Sequence, residues 1–253
     1  MLANLPLPQP LARWTIQLFA RAYGIDVTTA TEPLQNFRSI GEFFTRDIKP
    51  EERPRGVGFL CPVDGTLRQY CELVPGQPIS QVKGREYTLE SLLGDDPFAS
   101  RLSNSALWNL YLSPADAHHI FAPAEGKIVR TVHIPGKLWP VNDWALHSVD
   151  GLFAVNERIV TFIETERGLV AVVMIGATNV GRIALRYMQL ETNLRPWQAR
   201  GVRRFEHSEI VVDAGDKIGT FKMGSSVIVI AENYRSSKSP GAAQRTVRYG
   251  EVL

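Results

Sequence analysis

The sequence predicts an α+β protein that is mostly β, with two packed sheets forming a sandwich-like core and helices gathered at the N-terminus. Three observations lead there. Between Leu60 and Ile183, short β-branched and apolar runs are separated by Gly, Pro, Asn and Asp, the pattern of strands joined by tight turns. No strand alternates with a long helical period, which excludes a doubly wound nucleotide-binding sheet. Helical periodicity is concentrated ahead of this region, where broad apolar stripes recur at helical spacing.

Each element follows in order. From Pro10 to Ile25 the residues Leu11, Trp14, Ile16, Leu18, Phe19, Ala22 and Tyr23 give a helix with a wide apolar face. Pro10 suits its first turn and Gly24 its end. A second helix runs from Ser39 to Arg46, with Ser39 as cap, Glu42 three residues on, and Pro50 and Pro54 closing it off. These helices make a membrane-facing segment over 1–55, followed by a β-rich domain over 56–253. Within the latter, Leu107 to Leu112, Lys127 to Ile134, Ile159 to Glu164 and Val170 to Ile175 read as strands, and Tyr87 to Leu93 as the one helix among them. Ile210 to Ile230 continues the β pattern around a tight Gly224-Ser225-Ser226. Beyond Glu232 the chain is a polar, arginine-rich tail around one more strand.

Composition narrows the function. The 253 residues are 44% hydrophobic and 21% charged with a net charge of +2, so charge balance gives no support to nucleic-acid binding. Cys61 and Cys71 have neither metal-ligand nor disulfide-framework spacing and suit a reducing, cytoplasmic-facing location. The longest apolar run, Leu169 to Ala177, falls well short of the ~20 residues of a membrane span and reads as a buried strand. Met1 to Pro10 has no signal-peptide pattern. Any work on lipid is therefore expected from the membrane surface, as a peripheral protein on the cytoplasmic face.

Three segments carry chemistry. In Phe221-Lys222-Met223-Gly224-Ser225-Ser226-Val227, the ordinary reading of Gly-Ser-Ser is a hairpin turn. The chemical reading is self-processing, in which the Ser225 hydroxyl attacks the carbonyl of Gly224, a residue that tolerates a strained backbone. In Cys61-Pro62-Val63-Asp64-Gly65-Thr66, Asp64 is either a solvated turn residue or a carboxylate orienting a histidine that activates a hydroxyl. In Tyr111-Leu112-Ser113-Pro114-Ala115-Asp116-Ala117-His118-His119-Ile120-Phe121, two of the five histidines follow a Ser-Pro-x-Asp turn. Neighbours on a strand point to opposite faces, so one histidine can serve a pocket while the other is simply exposed. No third ligand recurs at metal spacing, and no metal is expected.

In this order the three segments resemble the signature blocks of the phosphatidylserine decarboxylases. Phe43-Phe44-Thr45-Arg46 with Arg53-Pro54, Gln81-Val82-Lys83-Gly84 with Tyr87-Thr88-Leu89, Pro135-Gly136-Lys137-Leu138, Asn156-Glu157-Arg158 and Gly176-Ala177-Thr178-Asn179-Val180-Gly181 resemble other phrases of that family. The likeness runs from about Ser39 to Val229. It implies self-cleavage between Gly224 and Ser225, with Ser225 becoming a pyruvoyl cofactor and Asp64 belonging to the charge relay. It also implies that His118 moves a proton during decarboxylation of phosphatidylserine to phosphatidylethanolamine, in a homodimer at an anionic phospholipid surface.

The chain departs from the family pattern at two places. Phe121 stands where the family carries the second histidine of the relay, leaving His119 as a candidate substitute base if the local backbone bulges. Trp139-Pro140-Val141-Asn142 stands where the family usually reads Phe-Ser-Val-Asn, which removes a hydroxyl and a backbone donor. Two alternatives follow: a non-processing homologue that binds phospholipid without catalysis, and a decarboxylase of a related amino-acid head group.

Overall fold

The apolar runs assemble into one large antiparallel sheet with a smaller sheet on one face and helices on the other. The structure is a computed structural model describing residues 2–178, 181–193, 201–222, 225–236 and 244–253. Two helices come first, α1 (Gln9–Tyr23) and α2 (Ile40–Phe44). They are followed by β1 (Gly65–Glu72), the hairpin β2 (Ile79–Val82) and β3 (Arg85–Tyr87), and the short helices α3 (Leu89–Leu93) and α4 (Phe98–Leu102). Next come β4 (Ala106–Leu112), β5 (His119–Phe121), β6 (Gly126–Ile134), α5 (Asp143–Ser148) and α6 (Leu152–Val155). The chain then runs through β7 (Arg158–Thr165), β8 (Gly168–Gly176), β9 (Ile183–Leu185) and β10 (Arg203–Val212). It ends with β11 (Lys217–Phe221), β12 (Ser225–Ala231) and β13 (Arg245–Val247).

The large sheet has the order β10-β6-β7-β8-β12-β4-β1-β13 and the small one β5-β11-β9. Strands β8 and β12 lie at the centre and are covered on both faces, which is why they read as continuous apolar runs rather than alternating ones. On one face Leu110, Ile159, Met174 and Val227 meet Ile120, Ile183, Ile218 and Phe221 of the small sheet. On the other, Leu107, Val160, Val173 and Ile228 lie beneath Leu92, Leu102, Leu146 and Phe153 of the helices. The expected α+β class with two packed sheets is what the chain adopts.

The N-terminal helices form a separate small core. Ala12, Ile16 and Ala20, one turn apart on α1, are buried with Phe37 and Phe43. Gly24 adopts the left-handed conformation and closes the helix, its N–H reaching the carbonyls of Ala20 and Arg21. Ser39 caps α2 by accepting the Glu42 N–H, while the Glu42 carboxylate reaches back to the Arg38 N–H.

Some expectations are corrected. Tyr87 to Leu93 is not the one helix of the middle region: α4, α5 and α6 are there too, each too short to impose a period on the sequence. The sequence also offers Arg195, Arg200, Arg203 and Arg204 as a cluster for anionic headgroups; Arg203 and Arg204 belong to strand β10, and their side chains bond His133, Asp96 and the Gly94 carbonyl. Arg195 and Arg200, the other members of that expected cluster, lie outside the described residues. Ser225 opens a central strand instead of occupying a turn.

One glycine is required by close packing. Gly65 has φ +154°, and a Cβ there would lie 2.2 Å from the Tyr111 carbonyl oxygen, so β1 approaches β4 as only glycine permits.

Candidate functional site

The site is built around the end of β4. Immediately after Leu112 the chain reverses through Ser113-Pro114-Ala115-Asp116, which is self-bonded. The Asp116 carboxylate accepts both the N–H and the hydroxyl of Ser113 at 2.7 Å, and the Asp116 N–H donates to the Ser113 carbonyl at 3.0 Å. The Asp116 carbonyl is left pointing at His118, whose Nδ1 lies 2.8 Å away. A carbonyl only accepts, so Nδ1 carries the hydrogen and Nε2 the free lone pair. His118 is fully buried, and that burial pushes its pKa down to about 3, with the Arg46 charge acting in the same direction. The imidazole is therefore neutral at physiological pH. Its Nε2 is buried and has no hydrogen-bond partner.

Helix α2 covers this histidine. The Phe44 ring lies 3.8 Å from the His118 ring, centroid to centroid. Arg46 donates to the Ala115 carbonyl at 2.7 Å and to the Phe43 carbonyl at 3.3 Å. Arg46 is itself buried, and desolvation lowers its pKa to about 10.

Ser225 sits on the other side of β4. It pairs with Leu112 on β4 and with Gly176 on β8, so both neighbours hold its backbone. The Ser225 side chain is inaccessible to solvent, and its Oγ, like His118 Nε2, has no partner. Four residues earlier, the Phe221 N–H donates to the His118 carbonyl at 2.8 Å. The segment that follows β4 thus meets β12 at Leu112 and β11 at His118. Gly224 lies outside the described residues.

Asp64 reaches the same region from the opposite flank, just before β1 and beside the place where Gly65 touches Leu112. Its carboxylate is fully used. Arg53 Nε donates at 2.9 and 3.2 Å and Nη2 at 2.6 Å, and the Tyr249 N–H donates at 3.0 Å. Burial pulls the Arg53 pKa down, but the hydrogen bond to Asp64 and the charges of Asp64, Tyr249 and Glu52 together raise it. Phe121 completes this flank: its ring stacks on Tyr249 at 4.1 Å and 18°, and the Arg53 guanidinium lies 5.7 Å from the other ring's centre. Where a carboxylate–imidazole relay was expected, the chain has a carboxylate–guanidinium pair and two stacked rings.

His119 faces elsewhere. Its Nδ1 is 2.9 Å from the Thr220 hydroxyl and its Nε2 is 3.2 Å from the Asp47 carboxylate. Burial pushes its pKa down to about 4, with Lys217 adding to the effect. The Trp139-Pro140 segment is tied to the site by Asn156, which bonds both the N–H and the carbonyl of Trp139 and the carbonyl of Gly176, the residue paired with Ser225.

Sequence reasoning singled out Asp64, His118, His119, Phe121 and Ser225 but gave no role to Arg53, Arg46 or Phe44, although all three lie in phrases that carried the resemblance. Tyr249 had no signal at all.

Comparison with known proteins shows the family. The family model for phosphatidylserine decarboxylase matches residues 40–253. The chain is 40% identical to the phosphatidylserine decarboxylase proenzyme of Anaeromyxobacter sp. (strain K), with 97% of this chain and 88% of that protein aligned. It is 39% identical to the corresponding proenzyme of Myxococcus xanthus (strain DK1622), over 93% of this chain and 84% of that one. For the proenzyme of Coxiella burnetii (strain Dugway 5J108-111) the identity is 36%, with coverage of 96% and 87%. The chain belongs to the phosphatidylserine decarboxylase family.

Proposed function

We propose that the chain is a proenzyme that cuts itself between Gly224 and Ser225, converts Ser225 to a pyruvoyl group, and then decarboxylates phosphatidylserine to phosphatidylethanolamine. The observation that carries this reading is the Ser225 hydroxyl: buried, unpartnered and at the start of a central strand, in a family whose relatives are named proenzymes. A buried serine without a partner costs about 1–3 kcal/mol, and self-cleavage gives that hydroxyl a use. Exclusion of water suits an intramolecular attack, because the electrophile is the adjacent peptide and water would compete for it.

Once formed, the pyruvoyl carbonyl condenses with the substrate amine and accepts the electrons released with carbon dioxide. His118 is the nearby group suited to exchange a proton at the reacting carbon, since its Nε2 has a free lone pair. The N-terminal segment supplies the lipid contact. On α1, Leu11, Trp14 and Leu18 are exposed at helical spacing, with Arg13 and Arg21 also exposed, a composition suited to an anionic membrane interface. Among the described residues no helix is long and apolar enough to cross a membrane. A homodimer peripheral to the cytoplasmic face is part of the same proposal.

A denaturing mass spectrum of the purified protein tests the processing. Two chains split at Gly224-Ser225, the smaller beginning with a pyruvoyl group, support it. A single mass of 28.2 kDa after incubation with phospholipid would refute it and leave the phospholipid-binding homologue. Parallel assays with phosphatidylserine vesicles and soluble serine test the head group, and native mass reads the dimer.

A further inference from the structure

We propose that His118 is the base that activates Ser225 for self-cleavage, so that one imidazole serves both maturation and the later proton transfer. This rests on the processing reading above and adds the identity of the base that Phe121 cannot be.

Two buried orphans carry the argument. The Ser225 hydroxyl has a hydrogen to give and no acceptor, and His118 Nε2 has a lone pair and no donor. The tautomer is set by the structure, since the Asp116 carbonyl takes the Nδ1 hydrogen. The two residues are held to the same stretch of backbone at both ends, Leu112 against Ser225 and the His118 carbonyl against the Phe221 N–H. Phe44 packs on the ring, with the centroids 3.8 Å apart.

The other candidates are directed to other groups. His119 bonds the Thr220 hydroxyl through Nδ1, and its Nε2, although it has no hydrogen-bond partner, faces the Asp47 carboxylate at 3.2 Å. His133 lies between the Glu157 carboxylate and Arg203, one on each ring nitrogen. His207 contacts Thr131, and His147 is exposed with its Nδ1 on the Asp143 carbonyl. Asp64 already accepts from Arg53 and Tyr249. The charged and titratable groups bearing on His118 are Arg46, just beyond α2, and His119 from its own segment, beside the Asp116 carbonyl.

The chemistry balances as follows. Nε2 takes the Oγ proton as Oγ bonds to the carbonyl carbon of Gly224. The C–N bond to Ser225 then breaks and the nitrogen takes the proton back from Nε2, leaving an ester. Nε2, free again, takes the Ser225 α-proton as the Cβ–Oγ bond breaks, which expels the Gly224 carboxylate and gives dehydroalanine. Addition of water and departure of ammonia leave the pyruvoyl group. A backbone carbonyl stabilises the transient imidazolium less than a carboxylate does, so maturation is expected to be slow, but each chain needs it only once.

The test is a time course of intact mass for the full chain and for His118→Asn, His118→Gln, His119→Asn and His118→Asn/Phe121→His, with circular dichroism to confirm folding. The wild type and His119→Asn are expected to split at equal rates. Each His118 variant should stay whole or split at least about 100-fold more slowly, the usual loss for a general base. The double variant should recover splitting, because a second imidazole is restored on the Asp64 flank. If a His118 variant fails to fold, His118→Ala with added imidazole replaces it, and imidazole-dependent splitting is expected. Splitting of His118→Asn or His118→Gln within about threefold of the wild-type rate overturns the proposal while leaving the processing reading intact. A wild-type chain that never splits overturns both.

Discussion

The Arg53–Asp64 pair offers the sharpest energetic prediction. Their side chains are only 11% and 5% exposed, and three contacts of 2.6–3.2 Å join them. Removing one partner of such a pair leaves the other charge poorly solvated, at a cost of roughly 3–5 kcal/mol. Asp64→Asn retains an acceptor for the Tyr249 N–H, and Arg53 also has the Glu52 carbonyl, so the low end applies. Asp64→Asn should therefore cost about 3 kcal/mol and Arg53→Met about the same. The double variant should cost much less than their sum, with a coupling of about 2–3 kcal/mol. Urea unfolding of the four proteins at neutral pH measures this, all carrying Ser225→Ala so that every sample is one uncut chain. A coupling below about 0.5 kcal/mol, the value of an exposed pair, would refute the claim that Asp64 is held in structural service by Arg53.

Three more predictions are independent of it. Trp14→Asp with Leu18→Asp should abolish sedimentation with anionic vesicles while changing unfolding free energy by no more than about 0.5 kcal/mol per site, because both side chains are more than half exposed. Burial holds His118 and His119 below the histidine reference of 6.5, at about 3 and about 4, so the folded state binds fewer protons than the unfolded one. Stability should be full above pH 6.5 and fall as pH drops toward 4, by at most roughly 1.4 kcal/mol per pH unit per histidine, and less steeply in a His118→Asn/His119→Asn protein by urea titration. Gly65→Ala should lower stability by about 2–4 kcal/mol in thermal unfolding, since its methyl group would collide with the Tyr111 carbonyl.

Much of this architecture was legible because it follows from local chemistry. The apolar run over β8 admitted only a buried strand, and Gly24 marked the end of α1 through its left-handed backbone. The four-residue α6 and the five-residue α4 were not legible, since their formation depends on the sheet they cover. The same division holds at the site. Ser225, Asp64 and His118 stood out because their immediate neighbours form recognisable phrases. The partner of Asp64 did not, because Arg53 and Tyr249 approach it from opposite ends of the chain and only folding brings them together. Phe121 was visible as a missing histidine, yet the ring it stacks on could not be read from any local pattern.

The position of β12 has a consequence for a chain cut before Ser225. The fragment 225–253 would supply two strands at separate places in the large sheet, one at the centre and one at the edge. Its first strand is laced along its whole length to β4 and β8. Scission would thus alter connectivity without loosening the assembly, and the two pieces would behave as one body in any native separation. Recovery from denaturation would change order: the uncut chain refolds by a first-order process, whereas the cut one must first find its missing centre by collision. Dilution would then slow the return to the native state, giving matured molecules a folding history that cannot easily be repeated.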